Sequence, residues 1–272
     1  MNTSSKLPVS VGILTRNSGA TLRRALESVK ECSDIIVCDG GSTDDTLQIA
    51  AQFGARILSQ NKTFLDEHGR LFDYGGARNQ TLDAARENWF FALDSDEYAG
   101  PDLIEAMRQV VTTRAEGAFW VNRKYTRHGV VIDYATTYPN RQMRFFSKRS
   151  VTRFIKKMHE RIELKEGAVP EMLGGCMYVP FDMSAEDVRT KWTYQIAVEV
   201  ARLGSLSPWR FLEAVFDFSK VSLLYLLRYL RIIALNRQPR LPFSLEMERH
   251  ILHLRTLLAF AHIVHLRQPR QN

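Results

Sequence analysis

Cysteine is scarce in this sequence. The 272 residues include three cysteines, Cys32, Cys38 and Cys176, and no CxxC pair. An odd number without that spacing argues against a disulfide framework and against a zinc site. The first ten residues, MNTSSKLPVS, lack the apolar run of a signal peptide. Together these features predict a reducing, cytoplasmic compartment.

Long apolar runs and two common nucleotide-binding loops are also missing. No stretch approaches 18 uncharged apolar residues, so the sequence predicts no membrane-spanning helix. The fingerprint GxGxxG is absent, which disfavours a nicotinamide or flavin site of the Rossmann type. The pattern GxxxxGK[ST] is absent as well, which disfavours a P-loop.

Positive charge is unevenly distributed along the chain. The formal net charge is +7, yet residues 1–200 contain 26 basic and 26 acidic side chains. Residues 201–272 contain 11 basic and 4 acidic ones. The excess positive charge therefore lies in the C-terminal quarter, and an anionic partner would bind that part of the chain.

From residue 8 onward, short apolar runs alternate with segments of helical periodicity. The apolar runs are VSVGIL, DIIVCD, ARIL and WFFALD, and the helical segments between them are residues 19–32, 43–54 and 75–88. Thr43 is expected to cap the second helix and Gly54 to end it. This βαβαβ order predicts an α/β fold, a mainly parallel Rossmann-like sheet with helices on both faces.

Polar side chains follow three of the predicted strands. Ligands bind beyond the carboxyl ends of strands in such sheets, where Thr15, Asn17, Asp39, Asp94 and Asp96 would meet. The run from Asp94 to Glu97 has two interpretations. Asp and Ser suit a turn before Pro101, whereas gathered carboxylates suit Mg²⁺ or Mn²⁺ with phosphate oxygens.

The loop DGGSTDDT, residues 39–46, also allows two interpretations. Two glycines followed by hydroxyl and acidic residues are typical of an ordinary turn between a strand and a capped helix. Alternatively, Asp39 at the strand end accepts hydrogen bonds from the base or ribose of a nucleotide.

In order and spacing, four segments together resemble the family 2 glycosyltransferases of GT-A fold. They are VSVGILTRNSGATLRRALESV, DIIVCDGGSTDDT, GARNQTLDAA and WFFALDSDE. The later segments YPNRQMRFFSKRS and KMHERIEL resemble the branch that builds lipopolysaccharide core and related glycans. The resemblance covers about residues 8 to 165. It implies a GT-A catalytic domain, placed over residues 1–185, and the helical pattern of the rest predicts an amphipathic C-terminal helical appendage over 186–272.

By this resemblance the chain transfers a sugar, with inversion, from a nucleotide-diphosphate donor to a hydroxyl group. Asp96, assisted by Asp94, would hold a divalent cation, Mg²⁺ or Mn²⁺, at the departing diphosphate. Many relatives carry a histidine after the GG segment, whereas GGCMYVPFDM has none. The missing histidine argues either against a third protein ligand for the cation or against a strict requirement for the cation.

The resemblance also assigns residues to the nucleotide sugar. Thr15 and Asn17 match the loop around base and ribose, Asp39 matches the acidic residue that reads the base, and Asp94 lies nearer the ribose. Arg78 matches a basic residue near the nucleotide and would hydrogen-bond phosphate or ribose. Its alternative is an arginine on a helix surface.

An inverting transfer needs a general base, and Glu160 matches that position. The alternative is a surface ion pair of Glu160 with Lys156, Lys157 or Arg161. His159 would orient substrate or complete the metal shell.

Two further charged residues are assigned to the surroundings of the site. Glu97 is expected to hold the residues of the site in place without contacting the cation itself. Arg144 either lines an anionic-substrate wall or lies on a solvated strand face.

The expected acceptor is a lipid-linked saccharide or glycan precursor. The alternative acceptor is a polyprenyl phosphate. Its phosphate is already ionised, so a general base is less necessary for the transfer. From other classes, a sugar nucleotidyltransferase would need a basic glycine-rich loop after the first strand, which LTRNSGATL lacks. A non-catalytic sugar-nucleotide binding module would not need Asp94, Asp96 and Glu160.

The C-terminal quarter contains a helical segment after Pro208 with a charged stripe about 80° wide and a broad apolar face. Either this face packs against the stretch from Phe243, or it contacts an anionic membrane. Four of the seven histidines, at 250, 253, 262 and 265, add pH-dependent charge there. The apolar bulk fits nucleic acid poorly. These features predict a peripheral protein at the inner face of the cytoplasmic membrane.

Overall fold

The computed structural model describes residues 6–66, 69–157 and 160–264. By its internal contacts the chain forms two compact units. The first unit is Met1–Lys124 with Pro139–Pro180, and the second is Tyr125–Tyr138 with Phe181–Asn272. The division therefore falls near the boundary expected at residue 185, and it adds to the second unit a segment from the middle of the chain.

The first unit begins with four parallel strands that alternate with three helices. The strands are β1 (Leu7–Thr15), β2 (Cys32–Asp39), β3 (Arg56–Ser59) and β4 (Trp89–Asp94). The helices are α1 (Gly19–Ser28), α2 (Thr46–Gln52) and α3 (Tyr74–Asp83), and Lys62–Phe64 forms a 3-10 turn. β1 lies between β2 and β4, and each pairs with it in parallel.

The buried side chains of β4 show why helices cover both faces of this sheet. Successive side chains of a strand point to opposite faces. Phe91 and Leu93 pack with Leu22 of α1 in one apolar cluster, whereas Phe90 packs with Leu82 of α3 in another. The predicted α/β fold with a parallel sheet between helical layers is confirmed.

Beyond β4 the sheet continues with antiparallel strands. These strands are β5 (Tyr98–Ala99), β6 (Ala118–Arg127), β7 (Val130–Val131), β8 (Asn140–Ser147) and β11 (Glu171–Pro180). Helix α4 (Pro101–Thr113) lies between β5 and β6 in the chain. The strand order is β3-β2-β1-β4-β8-β6-β11-β5, with β7 paired to the end of β6. A separate antiparallel pair consists of β9 (Val151–Ile155) and β10 (Arg161–Leu164).

The second unit consists mainly of helices α5 (Ala185–Leu203), α6 (Pro208–Ala234) and α7 (Phe243–Ala261). Residues 125–138 are joined to α7 by buried polar contacts. The backbone N–H of Thr136 donates to Glu246 Oε1 at 2.9 Å, and its hydroxyl also donates to that carboxylate. The expected C-terminal helical appendage is confirmed, and these contacts explain why residues 125–138 belong to it.

Candidate functional site

The ends of β1, β2 and β4 meet at one edge of the sheet, as the sequence predicts. Thr15 lies opposite Asp39 in the pairing of β1 with β2, and Leu14 lies opposite Asp94 in the pairing of β1 with β4. The Thr15 hydroxyl donates to Asp39 Oδ1 at 3.0 Å. Three chemically distinct loops therefore begin within a few ångströms of one another.

Asp39 organises the loop that follows it. Its Oδ2 accepts the backbone N–H groups of Gly41 at 2.9 Å and Ser42 at 2.8 Å. The side chain is 6% exposed. The turn interpretation of this loop is therefore confirmed, and contact with a nucleotide base stays a prediction for Asp39.

Asn17 joins the loops after β1 and β2. Its backbone is left-handed, with φ of 50°, a conformation that asparagine tolerates better than most residues. Its N–H donates to Ser42 Oγ at 2.8 Å, and its Oδ1 accepts the N–H of Thr43 at the same distance. Thr43 is thus held by Asn17, and Asp45, not Thr43, precedes α2 as its N-cap. The expected cap at Thr43 is wrong.

Asp94 lies between two arginines. Arg144 Nη2 donates to Asp94 Oδ2 at 2.8 Å, and Arg78 Nη2 donates to Oδ1. Burial alone would raise the pKa of Asp94, but the charges of Arg144, Arg78 and Arg123 outweigh burial and hold the pKa well below its ordinary value. Asp94 is therefore ionised at neutral pH, and both of its oxygens are engaged.

Arg78 is buried although it lies on a helix. It is 1% exposed, and its Nη1 donates to the backbone oxygens of Leu93 at 3.1 Å and Gly12 at 3.3 Å. Its Nε lies 3.7 Å from Glu160 Oε1. The alternative of a surface arginine is wrong: Arg78 links the ends of β1 and β4 to both Asp94 and Glu160.

Glu160 is placed beside this arginine, not on an exposed helix. Its side chain is 20% exposed, and among the described residues its ion-pair partner is Arg78 instead of Lys156, Lys157 or Arg161. The surface-pair alternative for Glu160 is therefore wrong, and a role as base stays a prediction. His159 lies outside the described residues.

Arg144 is also buried, at 6% exposure, so the solvated-face alternative is wrong for this residue. Its Nε donates to Gln142 Oε1 at 2.7 Å. Burial tends to lower the pKa of the guanidinium, but Asp94, Glu97 and Glu160 raise it. Arg144 is thus a fixed cation facing three carboxylates.

Glu97 and Arg123 form a second buried ion pair behind Asp94. Glu97 is 1% exposed, and its N–H donates to the backbone oxygen of Asp94 at 3.1 Å. Burial and the neighbouring charge of Asp94 raise the pKa of Glu97 to about 7. Within the described part of the chain, Glu97 Oε2 and Arg123 Nε have no hydrogen-bond partner. Support of the site by Glu97 stays a prediction. The hydrogen bond from its N–H to the backbone oxygen of Asp94 is a contact through which such support could act.

The raised pKa of Glu97 gives a testable pH dependence of stability. Between the ordinary pKa of 4.5 and about 7, the folded protein holds a proton that the unfolded chain has released. Stability from this group is therefore full below pH 4.5 and lost as pH rises through 7. Glu97→Gln cannot titrate, so its free energy of unfolding relative to wild type should rise by about 2–3 kcal/mol from pH 5 to pH 8.

Urea denaturation of both proteins at these two pH values measures that change. Glu105→Gln, on the exposed side of α4, serves as the control. A difference between Glu97→Gln and wild type that does not vary with pH would contradict the raised pKa of the buried Glu97.

Asp96 differs from its neighbours because it is exposed. In the described residues no hydrogen bond or ion pair engages its carboxylate. Ser95, between the two aspartates, has its Oγ 3.0 Å from Ser18 Oγ. The described residues contain no group of three or more histidine, cysteine, aspartate or glutamate side chains arranged to hold a metal. The carboxylate oxygens of Asp96 are therefore available to a hard cation, which fits a site where phosphate oxygens supply the other ligands.

Two residues of this site were not predicted from the sequence. Arg123 completes the buried pair with Glu97. Tyr74 begins α3 and is 39% exposed, and its pKa is raised by partial burial and then by the charges of Glu160 and Asp94. The GGARN motif directly after Tyr74 was the available signal, whereas nothing in the strand around Arg123 marks it.

Comparison with known proteins gives a family match over most of the first unit. Residues 10–181 match the family model described as Glycosyl transferase family 2. A lipopolysaccharide core biosynthesis glycosyltransferase of Rhizobium meliloti is 29% identical over 173 residues, 61% of this chain and 58% of that protein. A TPR repeat-containing protein of Synechococcus elongatus is 33% identical over 156 residues, 57% of this chain and 35% of that protein. The chain thus spans between about a third and three fifths of these relatives.

Solved structures are similar in part. Residues 1–349 of TarS from S. aureus, in complex with UDP-GlcNAc, match 71% of this chain and 66% of that chain with TM-score 0.45 and 15% identity. Glucosyl-3-phosphoglycerate synthase from Mycobacterium tuberculosis, in complex with Mn²⁺, UDP and glucosyl-3-phosphoglycerate, matches 43% of this chain and 44% of that chain with TM-score 0.34 and 25% identity.

Proposed function

Since the chain belongs to glycosyl transferase family 2, we propose that it moves a sugar, with inversion, from a nucleotide-diphosphate donor to a hydroxyl of a lipid-linked saccharide or glycan precursor. One observation carries this proposal. The exposed carboxylate of Asp96 stands at the shared edge of β1, β2 and β4, beside an Asp94 fixed by two buried arginines. Arg78 connects that edge to Glu160.

The donor nucleotide would occupy the loops after β1 and β2. Thr15, Asn17 and Asp39 hold these loops to one another by hydrogen bonds, so base and ribose would meet a preorganised surface. Asp94 would face the ribose, and Arg78 and Arg144 would place positive charge beside the diphosphate. Because both guanidiniums are already fixed by Asp94, little reorganisation is needed when charge develops on the leaving group.

A divalent cation, Mg²⁺ or Mn²⁺, would be held by Asp96, with Asp94 in a supporting role. The ion pairs of Asp94 favour Asp96 as the direct ligand. When bound, the cation would supply Lewis-acid stabilisation of the departing diphosphate. His159 would orient substrate or complete the shell of the cation.

Glu160 would accept the proton of the acceptor hydroxyl. Its pairing with Arg78 fixes the position of a carboxylate next to the donor edge, which general-base catalysis requires. Glu97, through its contact with the Asp94 backbone, would keep the acidic turn in place.

The proposed acceptor class is supported by the relative of Rhizobium meliloti, a lipopolysaccharide core biosynthesis glycosyltransferase. We place this chain in the assembly of lipopolysaccharide or a similar cell-surface glycan. It would act in the cytoplasm, peripherally at the inner face of the membrane, and without nucleic acid.

Replacing Asp96 tests the metal-diphosphate assignment. Asp96→Asn removes the free carboxylate but no protein contact, so hydrolysis of the preferred nucleotide sugar should fall about 100-fold at fixed Mn²⁺ while the fold is kept. The apparent affinity for Mn²⁺ should fall with it. Nucleoside diphosphate release measures the rate.

Asp102→Asn, an exposed aspartate in the first turn of α4, is the matched control and should behave as wild type. Wild-type hydrolysis and unchanged Mn²⁺ dependence in Asp96→Asn would remove Asp96 from the proposed site.

A further inference from the structure

Helix α6 exposes much of its apolar surface. It has 27 residues, none of them buried, and is about 40 Å long. Nine large apolar side chains of α6 are between 42% and 71% exposed. They are Trp209, Leu212, Phe216, Leu223, Leu224, Leu226, Leu227, Leu230 and Ile233. So much exposed apolar surface on one helix indicates an interaction surface.

The opposite side of α6 already has a partner within the second unit. Phe218 stacks on His253 of α7 with ring centroids 5.0 Å apart, and Ser222 Oγ lies 2.7 Å from His253 Nδ1. Tyr229 contacts Phe243 at 5.4 Å between ring centroids. Packing against α7, one of the two alternatives from the sequence, is therefore real but uses only one face.

The exposed side of α6 divides into two strips. At 100° per residue, all nine exposed apolar side chains except Leu224 fall within about 120°, and the charged side chains fall within the adjacent 80°. An apolar strip beside a charged strip is the arrangement of a helix that lies in the plane of a membrane interface. In the described residues no helix is apolar over enough length to cross a bilayer.

Charge decides what covers the apolar strip. Residues 219–242 contain five basic side chains and no acidic one: Lys220, Arg228, Arg231, Arg237 and Arg240. Two copies packed through α6 would bring ten such groups together against the acidic Glu213 and Asp217 of each copy. Anionic lipid headgroups would instead pair with these basic groups.

We infer that the exposed strip of α6, here called the α6 strip and consisting of the nine apolar residues above without Leu224, is a docking site for an anionic lipid surface. The inference rests on the proposed function, because it assigns the membrane contact proposed there to helix α6. The leucine-rich half from Leu223 enters the interface, and Arg231 stays at headgroup level. Docking would hold the enzyme where lipid-linked acceptors reside.

Vesicle flotation of the full chain tests this inference. Vesicles of phosphatidylglycerol and phosphatidylethanolamine should bind wild type, and vesicles of phosphatidylcholine should bind it at least tenfold more weakly. The double substitution Leu223→Glu and Leu230→Glu should reduce binding to the anionic vesicles at least tenfold, because two leucines one above the other on the strip are lost. Raising the salt concentration should weaken wild-type binding.

Val169→Glu is the matched control, since Val169 is 77% exposed and lies in the first unit. Its binding should equal that of wild type. Thermal unfolding and vesicle-free hydrolysis of the nucleotide sugar should be unchanged in both variants, which separates loss of docking from loss of fold.

Three outcomes would overturn the inference: no binding of wild type to anionic vesicles, equal binding to neutral vesicles, or undiminished binding of the double variant. Light scattering could give a fourth such outcome. Wild type would then form a dimer that the double substitution abolishes and that added vesicles do not dissociate. Vesicle binding without hydrolysis of any nucleotide sugar would reject the proposed function while leaving α6 docking intact.

Discussion

Glu160→Gln is expected to lower kcat for sugar transfer about 1,000-fold, within the range of general-base contributions. The amide keeps the size of the side chain but cannot accept the acceptor proton, and Arg78 loses a carboxylate 3.7 Å away. KM for the donor should change less than kcat, because the glutamate acts on the acceptor. Initial rates with saturating donor and varied acceptor measure both constants.

Glu163→Gln is the matched control, since Glu163 is exposed and lies on β10, the strand that begins directly after Glu160. Near-wild-type turnover in Glu160→Gln would contradict the assignment of the base. It would instead favour an acceptor that is already ionised, such as a polyprenyl phosphate.

Arg78→Met is expected to destabilise the first unit by about 3–5 kcal/mol, the usual cost of removing one member of a buried ion pair. Methionine keeps the aliphatic stem, so the loss arises from Asp94 and Glu160 facing no compensating charge on that side. The hydrogen bonds to the backbone oxygens of Gly12 and Leu93 are lost as well. Urea denaturation followed by circular dichroism measures the free energy of unfolding.

Arg86→Met, an exposed position shortly after α3, serves as the control and should lie within about 0.5 kcal/mol of wild type. The double variant Arg78→Met with Asp94→Asn should recover part of the loss, because the unpaired charge is removed. A single variant as stable as wild type would mean that Arg78 is not the structural link described above.

The meeting of strand ends could be predicted from the sequence because it follows from a few strong constraints. Apolar runs such as VSVGIL bury both faces, which requires a sheet covered on both sides. Crossovers through helices make the strands parallel and bring their carboxyl ends to one edge. The sequence alone therefore predicts that Thr15, Asp39 and Asp94 lie together, and the register of the strands confirms this.

The burial of Arg78 could not be predicted in the same way. Around it α3 reads Arg78, Asn79, Gln80, Thr81, four polar residues in succession, of which all but Gln80 are buried. Helical periodicity assigns an inner face from apolar residues, so it has no information about a helix whose polar side chains point inward. The partners that make this possible, Asp94 and the Leu93 carbonyl, are more than ten residues away in the chain.

The contribution of residues 125–138 to the second unit escaped the sequence for a related reason. Thr136 and Glu246 are 110 residues apart, and their buried hydrogen bonds have no local signature. Likewise, the amphipathic pattern of α6 indicated a wide apolar face but not how much of it α7 would cover. The structure supplies that answer through the stacking of Phe218 on His253.

The most direct test of the proposed function is a donor screen with the wild-type chain. Purified protein is incubated with a panel of nucleotide-diphosphate sugars, with Mn²⁺, Mg²⁺ or a chelator, and released nucleoside diphosphate is measured. We expect release from at least one donor, dependent on the divalent cation and strongly reduced by Asp96→Asn. Absence of both binding and release for every donor would contradict the claim that this sheet edge is a nucleotide-sugar site.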